Sequence, residues 1–178
     1  NLIGEHTDYN DGFVFPMGIN RAAWLAITPT GDSSVRVYSM LHEETVEFDL
    51  RDMEKTEGWA EYVKAVAWAM QKRGKKVKGF RGVLTGDVPL GSGLSSSAAL
   101  ECAVGKAFAY ASDIDIDATE LALIGQEGEN GWVGVQCGIM DQLISAAAME
   151  GHALFIDCRS LEHEAVASGD FDELFAFI

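Results

Sequence analysis

Apolar and polar residues follow two different periods along this chain, and the change of period separates predicted strands from predicted helices. In 34–40 and 44–50, apolar residues occur at every second position, which is typical of half-buried β-strands. The apolar stretch 13–30 predicts two further strands, and 80–89 predicts another that ends at Pro89. Strands are therefore expected to fill most of the first half of the chain.

From residue 59 onward the spacing of the apolar residues becomes helical. A helix is predicted over 59–74, with its apolar residues on one side and Gly74 as its end. Asp117 is the expected N-cap of a later helix. The later helices are predicted over 98–112, 117–130 and 139–149, with loops at 90–97 and 131–138 and a last strand over 152–158.

The order of the elements and the length of the chain limit the fold class. Strands that come first and helices that come later favour an α+β fold over a regularly alternating wound sheet. The 178 residues suit one domain, and 48% hydrophobic residues are enough for a sizeable core. The chain starts at Asn1 without a methionine and stops at Ile178 inside an apolar run, so both ends are expected to be cut. We therefore expect one domain over 1–178, as a fragment.

The charge and the cysteines restrict the classes of partner and the compartment. A formal net charge of −15 argues against a nucleic-acid-binding protein, because contacts with phosphates need clustered Lys and Arg. The basic cluster 72–76 is interpreted as the end of a helix. Cys102, Cys137 and Cys158 lack paired spacing, which favours reduced thiols in a cytoplasmic protein. The apolar runs are too short to span a membrane, and no secretory leader is recognised.

The loop at 90–97 has the strongest chemical signal. Gly91 and Gly93 allow the backbone to approach a ligand closely, and three serines follow at a predicted helix start. Free N–H groups and the helix dipole favour an anion there, and a serine hydroxyl can ligate the magnesium that accompanies a nucleotide. The loop matches neither the Walker A pattern nor a dinucleotide-binding fingerprint. By composition alone, an ordinary turn with serine caps explains it about equally well.

Two other segments contain candidate chemistry. The motif NLIGEHTDYNDG at 1–12 sets Glu5 and His6 close to Asp8, and a metal site, a solvated turn or a site for a polyhydroxylated ligand would each use such residues. The spacing offers one strong nitrogen ligand, which weighs against zinc, and a turn explains Glu5 and His6 poorly. Asp141 lies near a predicted helix start, where a capping role is about as well supported as a catalytic one.

All three segments resemble the GHMP kinases. PLGSGLSSSAA at 89–99 resembles the second motif of that family, which wraps the nucleotide phosphates. NLIGEHTDYN at 1–10 and CGIMDQ at 137–142 resemble its galactokinase branch. The resemblance implies a GHMP-kinase N-terminal domain with a mixed sheet packed against helices. It also implies galactose and ATP as small-molecule substrates, with Mg²⁺ as a cofactor.

The resemblance further implies a role for individual residues. Asp141 is expected to be the catalytic base, which orients the anomeric hydroxyl and accepts its proton late, and Ser97 and Glu129 are expected to ligate magnesium. The residues expected to bind galactose are Glu5, His6, Asp8, Gly138 and Asp141. The residues expected to bind the nucleotide phosphates are Pro89, Gly91, Ser92, Gly93, Leu94, Ser95, Ser96, Ser97 and Ala98.

The activity implied by the resemblance is phosphorylation of α-D-galactose at its anomeric hydroxyl. A kinase for N-acetylgalactosamine or arabinose is an enzymatic alternative, and a sensor that binds without catalysis is another; the intact Ser97 and Ala98 weigh against the sensor. The third motif of the family, its adenine-contacting domain and a sugar-contacting tyrosine are expected beyond Ile178, so the fragment alone is expected to be inactive. No obligate protein partner is expected.

Overall fold

A computed structural model describes residues 1, 4 and 6–167 of the chain. The strands β1 to β7 cover Phe13–Val14, Ala23–Pro29, Ser34–Ser39, Glu44–Asp49, Phe80–Gly86, His152–Asp157 and His163–Ala167. The helices α1 to α4 cover Ala60–Lys72, Ser96–Ser112, Ala118–Gly128 and Met140–Ala147. A short 3-10 turn at Asp8–Asn10 precedes β1, and a π-helical turn at Glu129–Val133 continues α3.

The described strands form two sheets. The larger has the order β2-β5-β3-β4, with β3 and β5 parallel and the outer pairs antiparallel. A parallel pair needs a long crossover, and the connection from β3 to β5 includes α1. The smaller sheet is antiparallel, with the order β1-β6-β7. The expected α+β fold, with a mixed sheet packed against helices, is confirmed.

The main core lies between the larger sheet and the helices α1 and α2. Along β3, Val35 and Val37 are buried while Arg36 and Tyr38 are exposed, as period-two alternation requires of a sheet with one covered face. Phe80 of β5 meets Phe108 of α2 with ring centroids 4.9 Å apart. An aromatic pair of this kind adds roughly 0.5–1.5 kcal/mol beyond the burial of its area.

A second cluster joins α3 and α4 to the smaller sheet, with Leu143 of α4 packed among Val14, Leu154 and Ile156. Because β1 pairs with β6, this cluster also holds the segment that follows Asp8, and Asp8 lies against Gly138, just before α4. Two backbone bonds hold the segment around β1, from Leu154 N–H to the Pro16 carbonyl at 2.8 Å and from Cys158 N–H to the Gly12 carbonyl at 3.0 Å. The second cluster therefore positions two of the three candidate segments.

A buried network fixes the π-helical turn on α1. Trp132 donates its indole N–H to Glu61 Oε2 at 2.8 Å, and Lys64 donates to Glu61 Oε1 at 2.9 Å. Burial would raise the pKa of Glu61, but hydrogen bonds from Thr56, Lys64 and Trp132 lower it below its ordinary value. At Gly128, the last residue of α3, a Cβ would lie 2.9 Å from the α1 backbone. This close approach determines where Glu129, the next residue, is placed.

The predicted elements are confirmed in order and type, and Asp117 caps α3 by accepting the Glu120 N–H at 2.7 Å. Two differences stand out. The segment 131–138 was expected to be a loop throughout, but its first residues belong to the π-helical turn, and the strand β7 was not predicted. Within the described residues, no helix is long and apolar enough to cross a membrane.

Candidate active site

The glycine- and serine-rich loop between β5 and α2 presents bare backbone to solvent. Gly91 and Gly93 have φ angles of 69° and 75°, in the left-handed region that glycine adopts without strain. Apart from the glycine itself and its two chain neighbours, no described atom lies within 4 Å of the position that a Cβ would take at either residue. Ser92 Oγ donates to the Pro89 carbonyl at 2.8 Å, which tightens the turn. The loop thus offers a backbone surface that a phosphate group can approach.

The N-terminus of α2 is open to an anion. Ser95 stands at the N-cap with φ 58° and ψ 42°, a left-handed conformation that is uncommon for serine and frequent at functional sites. In the described part of the chain, its side chain makes no capping hydrogen bond. The alternative interpretation of this loop, an ordinary turn with serine caps, is therefore not supported at Ser95. N–H groups of the first helical turn can then bind a ligand, and the helix dipole favours a negative one.

Residues 6–12 of the N-terminal motif fold into a compact turn. The Gly12 N–H donates to the Thr7 carbonyl at 2.9 Å, and Asn10 Nδ2 donates to the His6 carbonyl at 2.8 Å. His6 has a φ of 61°, and its Nδ1 lies 2.5 Å from the Tyr9 hydroxyl. A non-glycine residue in this conformation is strained, and such strain is typical of ligand-binding positions. The turn therefore fixes His6 and orients its ring.

Asp8 lies against Gly138, just before α4. A Cβ added at Gly138 would overlap the Asp8 carboxylate, so the absence of a side chain there makes room for Asp8. The Tyr9 N–H donates to Asp8 Oδ1 at 3.0 Å and helps to orient the carboxylate. The structure thus brings together two of the predicted sugar contacts, which are distant in sequence. Glu5, another predicted contact, lies outside the described residues.

Asp141 is the second residue of α4 and lines a cavity of about 370 Å³. The phosphate-loop residues Gly93–Ser95 line the same cavity, so the loop and the candidate base face one volume. Its size lies within the range that small-molecule sites occupy, roughly 300–1,000 Å³. Two cations that the sequence did not single out, Arg21 and Lys106, also line it. The described lining includes neither His6 nor Asp8. Asp8 lies against Gly138, three residues before Asp141.

The two predicted metal ligands are in contact. Glu129 begins the π-helical turn and is buried, and burial raises the pKa of its carboxyl above the ordinary value. Hydrogen bonds from Cys137, Ser97 and Gln142 oppose that rise, so the Ser97 side chain reaches the carboxylate. A carboxylate and a hydroxyl are hard oxygen donors, which suit magnesium. Single π-helical turns are often found at functional sites, and Glu129 lies on one.

In the part of the chain that the structure describes, nitrogen and sulfur ligands do not form a metal site. Among the described residues, which leave out Glu5, no group of three or more His, Cys, Asp and Glu could hold a metal ion. The zinc interpretation of the N-terminal motif therefore gains no support. Ser97 and Glu129 could supply two oxygen ligands to a hard cation.

Two residues that the sequence analysis did not identify, Gln142 and Glu101, form a hydrogen-bonded network with Glu129. Gln142 Nε2 donates to Glu129 Oε2 at 2.8 Å and to Glu101 Oε2 at 3.1 Å. Glu101 is the only acidic residue in the sequence of α2, and Gln142 directly follows Asp141. Both features can be read from the sequence, but neither predicts that Glu101 and Gln142, which are 41 positions apart, form a hydrogen bond.

Comparisons with known sequences identify the family of this chain. The family model described as GHMP kinases N terminal domain matches residues 61–151, just over half of the chain. The galactokinase galactose-binding signature matches residues 1–29. A galactokinase of Chloroflexus aurantiacus is 49% identical over 168 residues, which make up 93% of this chain and 43% of that protein. A galactokinase of Roseiflexus sp. (strain RS-1) has the same identity and the same coverage.

Comparisons with solved structures point the same way. Lactococcus lactis galactokinase, crystallised with galactose, superposes with a TM-score of 0.89 at 38% identity, over 94% of this chain and 44% of that one. Methanococcus jannaschii mevalonate kinase, at 19% identity and a TM-score of 0.73, shares the fold. The chain thus spans less than half the length of the galactokinases that it matches. From the match to the family model, the chain belongs to the GHMP kinases, and it carries the galactose-binding signature of the galactokinases among them.

Proposed function

We propose that residues 1–178 are the N-terminal domain of a galactokinase, which transfers the γ-phosphoryl group of ATP to the anomeric hydroxyl of α-D-galactose. The observation that carries the proposal is the cavity shared by the phosphate-loop residues Gly93–Ser95 and Asp141. The 49% identity to curated galactokinases and the likeness to a galactose complex support it. Because the chain covers 43% of such a relative, the activity is proposed for the product of the complete reading frame.

In this proposal the sugar lies on the Gly138 side of Asp141. His6 and Asp8, together with Glu5, bind its hydroxyls, and the Gly138 backbone contacts it. A carboxylate accepts hydrogen bonds from two adjacent hydroxyls, and each bond to a charged group is worth about 1.5–3 kcal/mol. The compact turn holds His6 and Asp8 in place before a ligand binds, which reduces the entropy lost on binding.

The nucleotide phosphates are proposed to lie on the loop and on the N-terminus of α2. The N–H groups and the dipole of that helix favour the negative charge. Lys106 adds positive charge to the cavity wall, where the charge of Arg21 is shared with Asp87 at 3.2 Å. The residues assigned to this site are Pro89, Gly91, Ser92, Gly93, Leu94, Ser95, Ser96, Ser97 and Ala98.

Magnesium is proposed at Ser97 and Glu129. The fit rests on the contact between a hydroxyl and a carboxylate beside the phosphate loop. When bound, the ion would offset the negative charge that develops on the phosphates during transfer. Glu129 provides the charge and Ser97 the neutral oxygen.

The chemical step proposed for this chain is the transfer of one proton to Asp141. Asp141 orients the anomeric hydroxyl and accepts its proton as the bond from that oxygen to the γ-phosphorus forms. The bond between the γ-phosphorus and the bridging oxygen breaks, and ADP leaves with the electron pair. Positioning matters more than strong deprotonation when the transition state is loose. A carboxylate in the first turn of α4 is also favoured by the helix dipole.

A cytoplasmic location is proposed as well, since the three cysteines are free thiols.

The proposal is tested by galactose-dependent ADP release, in a coupled assay with the product of the complete reading frame. N-acetylgalactosamine and arabinose are run in parallel at equal concentrations. Turnover with galactose and much weaker turnover with the other two sugars is expected. Stronger turnover with either of the others would contradict the substrate, and binding of galactose and ATP without ADP release would indicate a sensor.

A further inference from the structure

Three buried polar side chains from different elements meet behind the proposed magnesium ligands. Glu101 lies on α2, Glu129 begins the π-helical turn, and Gln142 lies on α4. Their exposed fractions are 1%, 6% and 1%. A buried polar group that is left unpaired costs about 1–3 kcal/mol, so a cluster of this kind must be satisfied from within.

Gln142 joins the two carboxyl groups through one nitrogen. Its Nε2 donates to Glu129 Oε2 at 2.8 Å and to Glu101 Oε2 at 3.1 Å, which uses both N–H groups of the amide. Glu101 lies one helical turn beyond Ser97 on α2, and Gln142 adjoins Asp141 on α4. One amide therefore connects the elements that hold the proposed magnesium ligands and the proposed base.

The second oxygen atoms of Glu101 and Gln142 indicate that the Glu101 carboxyl group is neutral. Glu101 Oε1 and Gln142 Oε1 are buried and have no hydrogen-bond partner among the described residues. Burial, and next the charge of Glu129, raise the pKa of Glu101 to about 9, so this carboxyl is protonated near neutral pH. A proton on Glu101 Oε1 supplies a donor for the amide oxygen of Gln142. Such a donor would complete a second hydrogen bond between the acid and the amide, beside the bond from Gln142 Nε2.

Helix α3 encloses this pair at Gly125. A Cβ there would lie 3.1 Å from Gln142 Cγ and 3.1 Å from Glu101 Oε2, so even a methyl group would press on both side chains. Three helices therefore surround the acid–amide pair, which leaves little room for another rotamer of Gln142.

We propose that Gln142, fixed by Glu101, is a positioning residue that holds the Glu129 carboxylate toward Ser97, where magnesium binds. The inference rests on the proposed function and deepens it. Gln142 acts through Glu129, as the hydrogen-bonded partners of metal ligands do. Loss of such a partner typically weakens metal binding by about 10- to 100-fold.

The first test is Gln142→Met in the product of the complete reading frame. Methionine has a similar length and no N–H donor. The magnesium concentration that gives half-maximal rate is expected to rise at least about tenfold, while the KM for galactose stays within about twofold. Mn²⁺ binding, measured by electron paramagnetic resonance with a non-hydrolysable ATP analogue present, is expected to weaken by a similar factor. This second readout does not depend on turnover.

Substitutions at Glu101 supply matched controls. The amide of Glu101→Gln can accept from Gln142 Nε2 and donate to Gln142 Oε1, so Mn²⁺ affinity is expected to stay near that of the wild type. Glu101→Leu removes both bonds and is expected to weaken Mn²⁺ binding. The double variant Glu101→Leu/Gln142→Met leaves neither member of the pair unpaired, so the fold is expected to survive. It still lacks the amide donor from residue 142 to Glu129, so weak Mn²⁺ binding is expected to persist.

Two results would overturn the inference. One is Mn²⁺ binding of wild-type strength in Gln142→Met. The other is equal weakening of galactose and Mn²⁺ binding in the folded double variant, which would indicate a general structural role. Failure of the proposed function is distinguishable, because it would be seen in the wild-type protein as a lack of galactose-dependent ADP release.

Discussion

Gly138→Ala is expected to disrupt galactose binding by displacing Asp8. The φ angle of Gly138 is outside the left-handed region, so alanine meets no backbone strain there. The added methyl group would overlap the Asp8 carboxylate, however, and this carboxylate would have to move. The substitution therefore tests a contact between two segments that are far apart in sequence and that both belong to the proposed sugar site.

The size of the effect follows from the hydrogen bonds that Asp8 would lose. One bond from a sugar hydroxyl to a carboxylate is worth about 1.5–3 kcal/mol. At about 1.4 kcal/mol per factor of ten, the KM for galactose should rise roughly 10- to 150-fold. Asp8 is not among the residues that line the cavity with the phosphate loop, so the KM for ATP should change little.

A double-mutant cycle with Asp8→Ala separates this mechanism from a general loss of structure. Initial rates of ADP release are measured against galactose for the wild type, both single variants and the double variant. Once Asp8 is truncated, the methyl group of Gly138→Ala no longer meets a carboxylate, so it should add little to the effect of Asp8→Ala. An unchanged galactose KM in Gly138→Ala, or fully additive effects in the double variant, would refute the reasoning.

Three other substitutions test different parts of the site. Asp141→Ala should lower kcat by about 10²- to 10⁴-fold and leave the calorimetric affinity for an ATP analogue unchanged; wild-type turnover would remove the base assignment. Ser97→Ala should raise the magnesium requirement of the rate in a magnesium titration, and an unchanged requirement would exclude it as a ligand. Glu101 has a folded-state pKa of about 9, above its ordinary value of 4.5, so its contribution to stability is full below pH 4.5 and is lost as the pH rises to 9. In the wild type, the free energy of unfolding measured in urea should therefore fall between pH 4.5 and 9 by up to about 1.4 kcal/mol per pH unit. Glu101→Gln should remove this decline. Equal pH dependence of the free energy of unfolding in the wild type and in Glu101→Gln would contradict a neutral Glu101.

Local signals made most of the fold predictable from the sequence. The alternation in β3 and β4, the helical spacing in α1 and the cap at Asp117 each depend on residues close in sequence. The π-helical turn does not, because Trp132 is anchored by Glu61, which lies 71 positions away. Strand β7 has weak alternation and is ordered by pairing with β6, so its pattern alone did not predict it.

The candidate site was predictable in its parts but not in its assembly. The proposed phosphate loop and Asp141 were both predicted by motif, and in the structure residues of the loop line one cavity with Asp141. The contact of Asp8 with Gly138 and that of Ser97 with Glu129 depend on how the second cluster and the π-helical turn pack. A buried acid such as Glu101 has no local signature of its partner, since only the packing of the helices brings Gln142 to it.

The most direct measurement is the position of the phosphate in the product. The product of the complete reading frame is incubated with ATP, magnesium and galactose labelled with ¹³C at carbon 1, and the mixture is followed by ¹³C and ³¹P nuclear magnetic resonance. Coupling between phosphorus and the labelled carbon is expected, together with its loss in Asp141→Ala. A phosphorylated sugar without that coupling, or no phosphorylated sugar from the wild-type protein, would contradict phosphorylation at the anomeric hydroxyl.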